Sequence, residues 1–318
     1  MAGIRNDVTF GRWKVQPLRC YEEGMAIRGI GLEPAFHPFS RDPAKAIRFE
    51  FLVAAVCHAT NWDRLRDHFI DVMKLEGSSP RSFSAMTLED FKDKFGLAFG
   101  DTSDLPERYE LFASVSNALN GAYENLNAQQ LWSKPQHLAG PYGFYGLLDV
   151  ISAFNADPQR KKSRILAQQL HRYRLVRFSD LANMLPATEY HILRLYLRTE
   201  RVVHVEGVES SIASDRAWDV RSVIALRRAV EQAMHFTADG ADMSLPELND
   251  IEWQIGRSFC ERETPRCAGP HRIDKPVGKD LLSIAGGACP FSKTCRGPLA
   301  TEIANLVEPR LAEHHAFY

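Results

Sequence analysis

Apolar positions recur at helical spacing along most of the chain, and this pattern predicts a mostly helical protein. Within residues 44–75, the run from Phe51 to Cys57 is too densely apolar for an exposed helix, so the middle of this helix is expected to be buried. The only β-rich piece is short, residues 201–208. The predicted fold class is therefore all-α. Further helices are predicted over residues 87–96, 106–126, 143–154, 157–175, 178–203, 217–238 and 244–260.

The segments around these helices predict how the chain is organised. Residues 1–45 are rich in Pro, Gly and Phe, and are expected to form an irregular arm. Residues 46–255 are expected to form a helical core of two lobes, with a site in the cleft between them. Residues 256–300 follow as a cysteine-rich loop, and residues 301–318 as a C-terminal helix or tail.

Composition and charge narrow the class of protein. The 318 residues are 45% hydrophobic and 25% charged, which is typical of a globular protein with a substantial core. The formal net charge is -1, so a nucleic-acid partner would require a local basic patch. The sequence has neither an eighteen-residue apolar run nor a signal-peptide core, so we expect a cytoplasmic protein without membrane contact.

Four of the six cysteines are clustered near the C-terminal end, with the spacing C-x6-C-x21-C-x5-C. In a reducing compartment such clusters are more typical of metal sites than of disulfides. Four thiolates bind zinc or an iron–sulfur cluster, and the wide spacing within both pairs favours a [4Fe–4S] cluster over zinc. The alternative is a chance grouping of buried apolar thiols. The expected ligands are Cys260, Cys267, Cys289 and Cys295.

The run "LNDIEWQIGRSFCERETPRC", followed by "CPFSKTC", resembles the iron–sulfur loop of the helix-hairpin-helix base-excision DNA glycosylases. In that superfamily a helix with a glycine near its end leads directly into C-x6-C-x2-C-x5-C. The first and last spacings match here, whereas the middle one is expanded to twenty-one residues. The resemblance implies a two-lobed, DNA-glycosylase-like helical fold with a C-terminal cluster loop.

A second point of resemblance is "LPATEYHILRLYLRT", residues 185–199. The superfamily carries P-V-D-x-H-V-x-R at the start of a helix, where the Asp supports cleavage of the bond between base and sugar. With Glu189 at the Asp position, His191, Ile192 and Arg194 fit this form, and Pro186 stands one position earlier than the Pro of the form. A carboxylate there would stabilise an oxocarbenium-like transition state. The alternative is that Glu189 only favours the first turn of its helix.

The resemblance also implies a nucleophilic lysine some twenty to thirty residues before the carboxylate, and Lys161 and Lys162 lie in that window. Neighbouring Arg160 and Arg164, together with the other lysine, would lower the pKa of an ammonium group, as a nucleophilic amine requires. Adjacent helical side chains point about 100° apart, so one lysine at most enters a pocket, and Lys162 is preferred. The alternative is a solvated or phosphate-contacting basic turn.

The L-P-G-x-G hairpin of many family members is missing, since "VRFSDLANMLP" contains no glycine. The sequence is therefore more similar to branches that lack the standard hairpin: the archaeal 8-oxoguanine glycosylases and the queuosine salvage N-glycosylases. The second group acts on a small modified nucleotide.

Two short segments carry candidate contacts to a base. In "CHATNWD", an aromatic face and polar groups follow an apolar helix, which suits a flipped base but also fits an ordinary helix end. "GPYGFYG" permits close approach to its backbone, or is simply a turn. The candidate base-binding residues are His58, Asn61, Trp62, Asp63, Tyr142 and Phe144.

The expected function is that of an N-glycosylase, a monomer that removes a damaged or modified base flipped out of DNA, with a possible lyase step. Glu189, Lys162 and Lys161 are its candidate catalytic residues. One alternative is an N-glycosidase of a free modified nucleotide, and another is a non-catalytic DNA-binding or damage-sensing protein. The basic residues expected to contact phosphates in the cysteine loop are Arg262, Arg266, Lys293 and Arg296.

Overall fold

A computed structural model describes residues 8–32, 36–75, 80–100, 104–122, 127–205, 217–263, 265–267 and 288–311. The described chain is mostly helical, as its apolar periodicity predicts, with five short strands. Across these residues, no helix is both long enough and apolar enough to cross a membrane.

The α-helices are α1 (Pro17–Ile27), α2 (Pro43–Val56), α3 (Trp62–Leu75), α4 (Pro80–Ser84), α5 (Leu88–Phe95), α6 (Leu105–Asn117), α7 (Ala128–Ser133), α8 (Phe144–Leu148), α9 (Ser152–Asn155), α10 (Lys161–Arg172), α11 (Tyr190–Arg198), α12 (Val220–Ala241), α13 (Leu245–Ser258) and α14 (Thr301–Ala304). The strands are β1 (Thr9–Phe10), β2 (Trp13–Val15), β3 (Val202–His204), β4 (Ala217–Trp218) and β5 (Arg310–Leu311).

The chain forms two compact units. The central unit contains the described residues 36–185, and the terminal unit combines residues 8–32 with residues 186–311. These boundaries differ from the predicted ones, because the N-terminal residues fold together with the C-terminal part of the chain.

In the terminal unit, α1 packs along α12 at two facing glycines. A Cβ atom on Gly24 would lie 2.8 Å from the backbone N of Ala241, and one on Gly240 would lie 2.9 Å from the Cα of Tyr21. Only glycine therefore permits this approach of the two backbones. Strands β1, β2 and β3 form an antiparallel sheet in which β2 is central, and β4 pairs in parallel with β5.

The central unit is organised around α2, whose residues from Phe49 to Val56 are all buried. This confirms the expectation drawn from its apolar density. The acidic residue within this run, Glu50, is compensated by Arg66, which donates to both carboxylate oxygens at 2.8 and 2.9 Å. His37 contacts the same carboxylate at 3.0 Å.

Four predictions about elements are wrong in part. The helix predicted over 143–154 is two short helices, α8 and α9. The irregular arm over residues 1–45 contains α1, which begins with Pro17 in its first turn, where the missing N–H costs nothing. The helix predicted over 44–75 is two helices, because Asn61 caps a new one. The helix predicted over 178–203 is confined to α11, which begins only after Glu189.

Candidate functional site

Glu189 is the N-cap of α11, and its side chain lies against the first turn of that helix. Oε1 accepts hydrogen bonds from the backbone N–H of His191 at 3.0 Å and of Ile192 at 3.3 Å. The residue is 7% exposed. A carboxylate in this position satisfies two of the first amides of the helix and lies at its positive end. Glu189 therefore stabilises the first turn of its helix, which is the alternative stated from the sequence. Its catalytic role stays a prediction.

Arg194 links α11 to the start of the cysteine loop. Its Nε donates to the carbonyl of Cys260 at 2.6 Å, and its Nη1 pairs with Glu308 at 2.8 Å. Its Nη2 donates to Nδ1 of His191 at 2.7 Å, which fixes the neutral ring with its proton on Nε2. A Cβ on Gly256 would lie 2.7 Å from the carbonyl oxygen of His191. The glycine near the end of α13 is thus required for close packing against α11.

The four clustered thiols lie near one another. In every pair of Cys260, Cys267, Cys289 and Cys295, one thiol raises the pKa of the other. Burial is the largest cause in each case; it raises the pKa of Cys295 to about 12 and moves that of Cys289 well above its usual value. Without a cation, these raised pKa values favour the neutral thiol form at Cys267, Cys289 and Cys295.

Nitrogen donors contact two of the four sulfur atoms. The N–H of Gly297 donates to Sγ of Cys295 at 3.3 Å, and Nη1 of Arg198 donates to Sγ of Cys260 at 3.6 Å. Arg198 is 2% exposed and also holds the loop backbone, donating to the carbonyls of Arg262 and Leu306 at 2.6 and 2.7 Å. Donors of this kind stabilise the thiolate form that binds metals.

The chemical character of the four cysteines and their neighbouring N–H donors fits a four-thiolate metal centre. Each thiol influences the pKa of the others, N–H groups point at two of the sulfur atoms, and the buried guanidinium of Arg198 would balance negative charge on thiolates. Across the described ranges, however, no three His, Cys, Asp or Glu side chains are gathered into a formed metal site. Most of the twenty-one-residue insertion, residues 268–287, lies outside the described residues.

Three of the four basic residues expected to contact phosphates are paired with carboxylates. Arg262 pairs with Glu308 at 2.7 Å, Arg266 with Glu261 at 3.2 Å, and Arg296 with Glu200 at 3.1 Å. Lys293 is exposed. These pairs lower the net positive charge that the cysteine loop offers to a polyanion.

Two buried cations hold the C-terminal end of α2. Nζ of Lys162 donates to the carbonyl of Ala55 at 2.6 Å, and Nη1 of Arg108 donates to that of Val56 at 2.5 Å. The carbonyls at a helix end carry negative partial charge and have no partner within the helix, so both contacts are favourable. Lys161 and Lys162 are both buried. The alternative of a solvated basic turn is therefore wrong.

The pKa of Lys162 is lowered to about 8, first by burial and then by the charges of Lys161 and Arg108. From the sequence we expected a pKa lowered by Arg160, Arg164 and the other lysine; Lys161 does contribute, whereas the contribution of Arg108 was not expected. A lysine with this pKa carries a substantial fraction of free amine near neutral pH, which an exposed lysine lacks.

His58 lies beside these cations and is 4% exposed. Burial lowers its pKa to about 2, and the charges of Lys162, Arg108 and Lys161 contribute in that order. Its Nε2 is 3.9 Å from Oδ2 of Asp104, beyond hydrogen-bond distance. Neither ring nitrogen has a hydrogen-bond partner within the described part of the chain. His58 is therefore a neutral, buried imidazole.

The segment after His58 has structural contacts. Oδ1 of Asn61 accepts from the backbone N–H of Arg64 at 3.1 Å, as a cap of α3. Trp62 is half-buried against the core, with the guanidinium of Arg66 5.4 Å from its ring centroid. The charge of Asp63 acts on the same guanidinium. These contacts match the ordinary helix end considered as an alternative, and base contact stays a prediction.

In the glycine-rich loop, Tyr142 and Phe144 differ in exposure. Tyr142 is 91% exposed, whereas Phe144 is 1% exposed and contacts Phe51 and Phe178 edge-on in the core. Phe144 therefore fills the core in this structure, and its contact with a base stays a prediction. A Cβ on Gly143 would collide with the backbone of Ala139, so the glycines serve a tight turn.

Sequence analysis missed Arg108 and Asp104, which meet the Lys162 region from α6. Arg108 donates through Nε to Oδ2 of Asp104 at 2.8 Å. Their separation from Lys162 by more than fifty residues leaves no local signal. Gln159, whose buried amide lies just before α10, could have been noted only from its position near Lys161.

Lys162 belongs to the central unit, whereas Glu189 belongs to the terminal unit. Comparison with known proteins gives no match: no known protein family and no curated protein matches the chain.

Proposed function

We propose that this protein cleaves the N-glycosidic bond of a damaged or modified base, with Lys162 as the attacking amine. The observation that supports the proposal is a lysine only 3% exposed, with a pKa lowered to about 8, beside a neutral histidine. Buried amines of low pKa are suited to nucleophilic catalysis, because a substantial fraction is unprotonated at neutral pH.

In the proposed reaction, the lone pair of Nζ attacks C1′ of the sugar while the bond from C1′ to the base breaks. The base leaves with the bonding electrons and takes up a proton, and Nζ loses one. The amine is bonded to the sugar and, after ring opening, forms a Schiff base that water hydrolyses. The hydrogen bond from Nζ to Ala55 orients the amine. Glu189 belongs to the other unit, and the catalytic role that the resemblance implies for it stays a separate prediction.

Two substrates fit this chemistry. The first is a base flipped out of DNA, as in the superfamily that the sequence resembles. The second is a free modified nucleoside or nucleotide. The ion pairs of Arg262, Arg266 and Arg296, together with a net charge of -1, favour the small substrate, because a DNA-binding surface uses unpaired basic side chains.

Replacement of Lys162 by arginine is expected to abolish covalent trapping of substrate. Arginine keeps a positive charge near Ala55 but supplies no free amine. The assay is borohydride trapping with a duplex that contains an abasic site and, separately, with modified nucleosides. We expect a loss on the order of 1,000-fold or more in the variant. In the wild type, trapping should rise with pH up to about 8, because the free amine increases there.

Lys161→Arg is the matched control, since it changes the adjacent buried lysine. It should retain trapping within about tenfold, which is a barrier change of about 1.4 kcal/mol. Equal trapping by Lys162→Arg and the wild type would exclude Lys162 as the nucleophile.

We also propose that the four clustered cysteines hold a [4Fe–4S] cluster, with zinc as the alternative. When bound, such a centre orders the loop that follows α13. Cys289→Ser is expected to lose most of the bound metal, measured as iron, sulfide and zinc per chain together with the visible absorption spectrum. The wild type should contain about four irons per chain.

Cys20→Ser is the control for metal content, because Cys20 is buried in α1 and donates to the carbonyl of Arg201 at 3.7 Å. It should keep the metal of the wild type. Zinc without iron in the wild type would support a zinc site in place of the [4Fe–4S] cluster. Equal metal content in Cys289→Ser and Cys20→Ser would contradict the four-cysteine site.

A further inference from the structure

Among the buried polar atoms that have no hydrogen-bond partner in the described residues, six lie on the segment after α2 and at the start of α10. They are both ring nitrogens of His58, Oγ1 of Thr60, both amide atoms of Gln159 and Oγ of Ser163. Folded proteins leave few such atoms unpaired, since each costs the solvation it has lost. Their concentration indicates a polar ligand or ordered water.

These atoms lie on two adjoining segments of the central unit. His58 and Thr60 follow α2, whereas Gln159 and Ser163 flank the start of α10. Nζ of Lys162, on α10, reaches the carbonyl of Ala55 at the end of α2. The charge of Lys162 also acts on His58, so the two segments adjoin at these residues. The neighbouring residues Ala59 and Pro158 are exposed, so the cluster lies close to the surface of this unit.

The chemistry of these atoms selects a class of ligand. A neutral imidazole, a carboxamide and a hydroxyl each offer one or more donors and at least one acceptor. An anion would pair only with the donors, and would leave Oε1 of Gln159 and one nitrogen of His58 unsatisfied. A hydroxyl group both donates and accepts, so a ligand with several adjacent hydroxyls can pair with both kinds of atom.

We propose that His58, Thr60, Gln159 and Ser163 bind the sugar of the substrate and recognise its 2′-hydroxyl, so that ribose is preferred to 2-deoxyribose. This rests on the proposed function in one respect: attack by Lys162 places C1′, and therefore the adjacent C2′, beside the cluster. A sugar without the 2′-hydroxyl leaves a buried polar group unpaired. We expect at least about tenfold weaker binding of such a sugar, which corresponds to a single hydrogen bond.

The test compares D-ribose with 2-deoxy-D-ribose on the full-length protein. Thermal unfolding of the wild type should be stabilised more by D-ribose than by an equal concentration of 2-deoxy-D-ribose. Gln159→Leu and Ser163→Ala should lose this difference between the sugars. Gln169→Leu, on the same helix, should keep it. Two variants are used so that one that fails to fold does not decide the result.

A second measurement separates this proposal from the function of Lys162. After reductive trapping with cyanoborohydride, mass spectrometry measures the sugar adduct on Lys162 relative to the exposed Lys74 and Lys134. No preferential adduct on Lys162 would count against the nucleophile alone. The sugar site would still be supported if Lys162→Arg kept the difference in thermal stabilisation.

Equal stabilisation of the wild type by both sugars would overturn the proposal, and would assign the cluster to ordered water. A difference that persists in both Gln159→Leu and Ser163→Ala would also overturn it, because the sugar would then be recognised elsewhere.

Discussion

Arg201→Met is expected to lower the free energy of unfolding by about 3 to 5 kcal/mol, because it leaves a buried carboxylate without its partner. Arg201 and Glu252 are both fully buried and form an ion pair in the terminal unit. Tyr196 donates to the other oxygen of Glu252 at 2.7 Å, and the guanidinium lies 3.6 Å from the centroid of the Tyr196 ring. Denaturant unfolding measures the loss.

The loss should depend on pH. Burial raises the pKa of Glu252 even with Arg201 present, and removal of the arginine raises it further. A protonated Glu252 needs no counter-charge, so the variant should approach the wild type as the pH falls. The double variant Arg201→Met, Glu252→Gln should recover part of the lost stability.

The exposed pair of Arg28 and Asp242, 2.8 Å apart, provides a control. Its removal by Arg28→Met should leave the unfolding midpoint nearly unchanged, because solvent screens exposed charges. If Arg201→Met changed stability as little as Arg28→Met, the buried pair would carry none of the proposed stabilisation.

Gly240→Ala is expected to destabilise the protein by about 2 to 3 kcal/mol, although alanine is the better helix former. The new Cβ would lie 2.9 Å from the Cα of Tyr21, where backbone meets backbone and no side chain can rotate away. Helix α1 must then shift from α12. Denaturant unfolding measures the loss, and hydrogen exchange should show faster opening of α1.

Gly31→Ala is the control for this change. A Cβ at Gly31 meets no atom within 4 Å, and its backbone needs no left-handed conformation. It should be neutral or slightly stabilising, through a smaller entropy loss on folding. If Gly240→Ala were as stable as the wild type, the packing of α1 on α12 would not depend on the close approach at Gly240.

Local patterns predicted the elements whose stability depends on a continuous apolar face. Val223, Leu226 and Val230 are buried along α12, as their spacing predicts. Helix α1 escaped prediction because its packing depends on Gly24 and Gly240, more than two hundred residues apart. No periodicity within either segment identifies such a contact.

The environments of the candidate site residues could likewise be predicted only where they depend on neighbouring residues in the sequence. The burial of Glu189 as a helix cap follows from residues immediately after it, so a local interpretation was possible. The environment of Lys162 comes from α2 and α6, through Ala55 and Arg108, which a linear sequence does not place nearby. The glycines beside Phe144 indicated an open loop, whereas its apolar ring fills the core.

The packing of α1 against α12 has a consequence for synthesis of the chain. Gly24 leaves the ribosome long before Gly240, and at roughly 5 to 20 residues per second the interval is about 10 to 40 seconds. During that time the central unit is already complete in sequence, whereas α1 has no helix to cover its apolar side. We therefore expect chaperones to bind the nascent N-terminal segment during this interval. The terminal unit can complete its folding only after α12 has been translated.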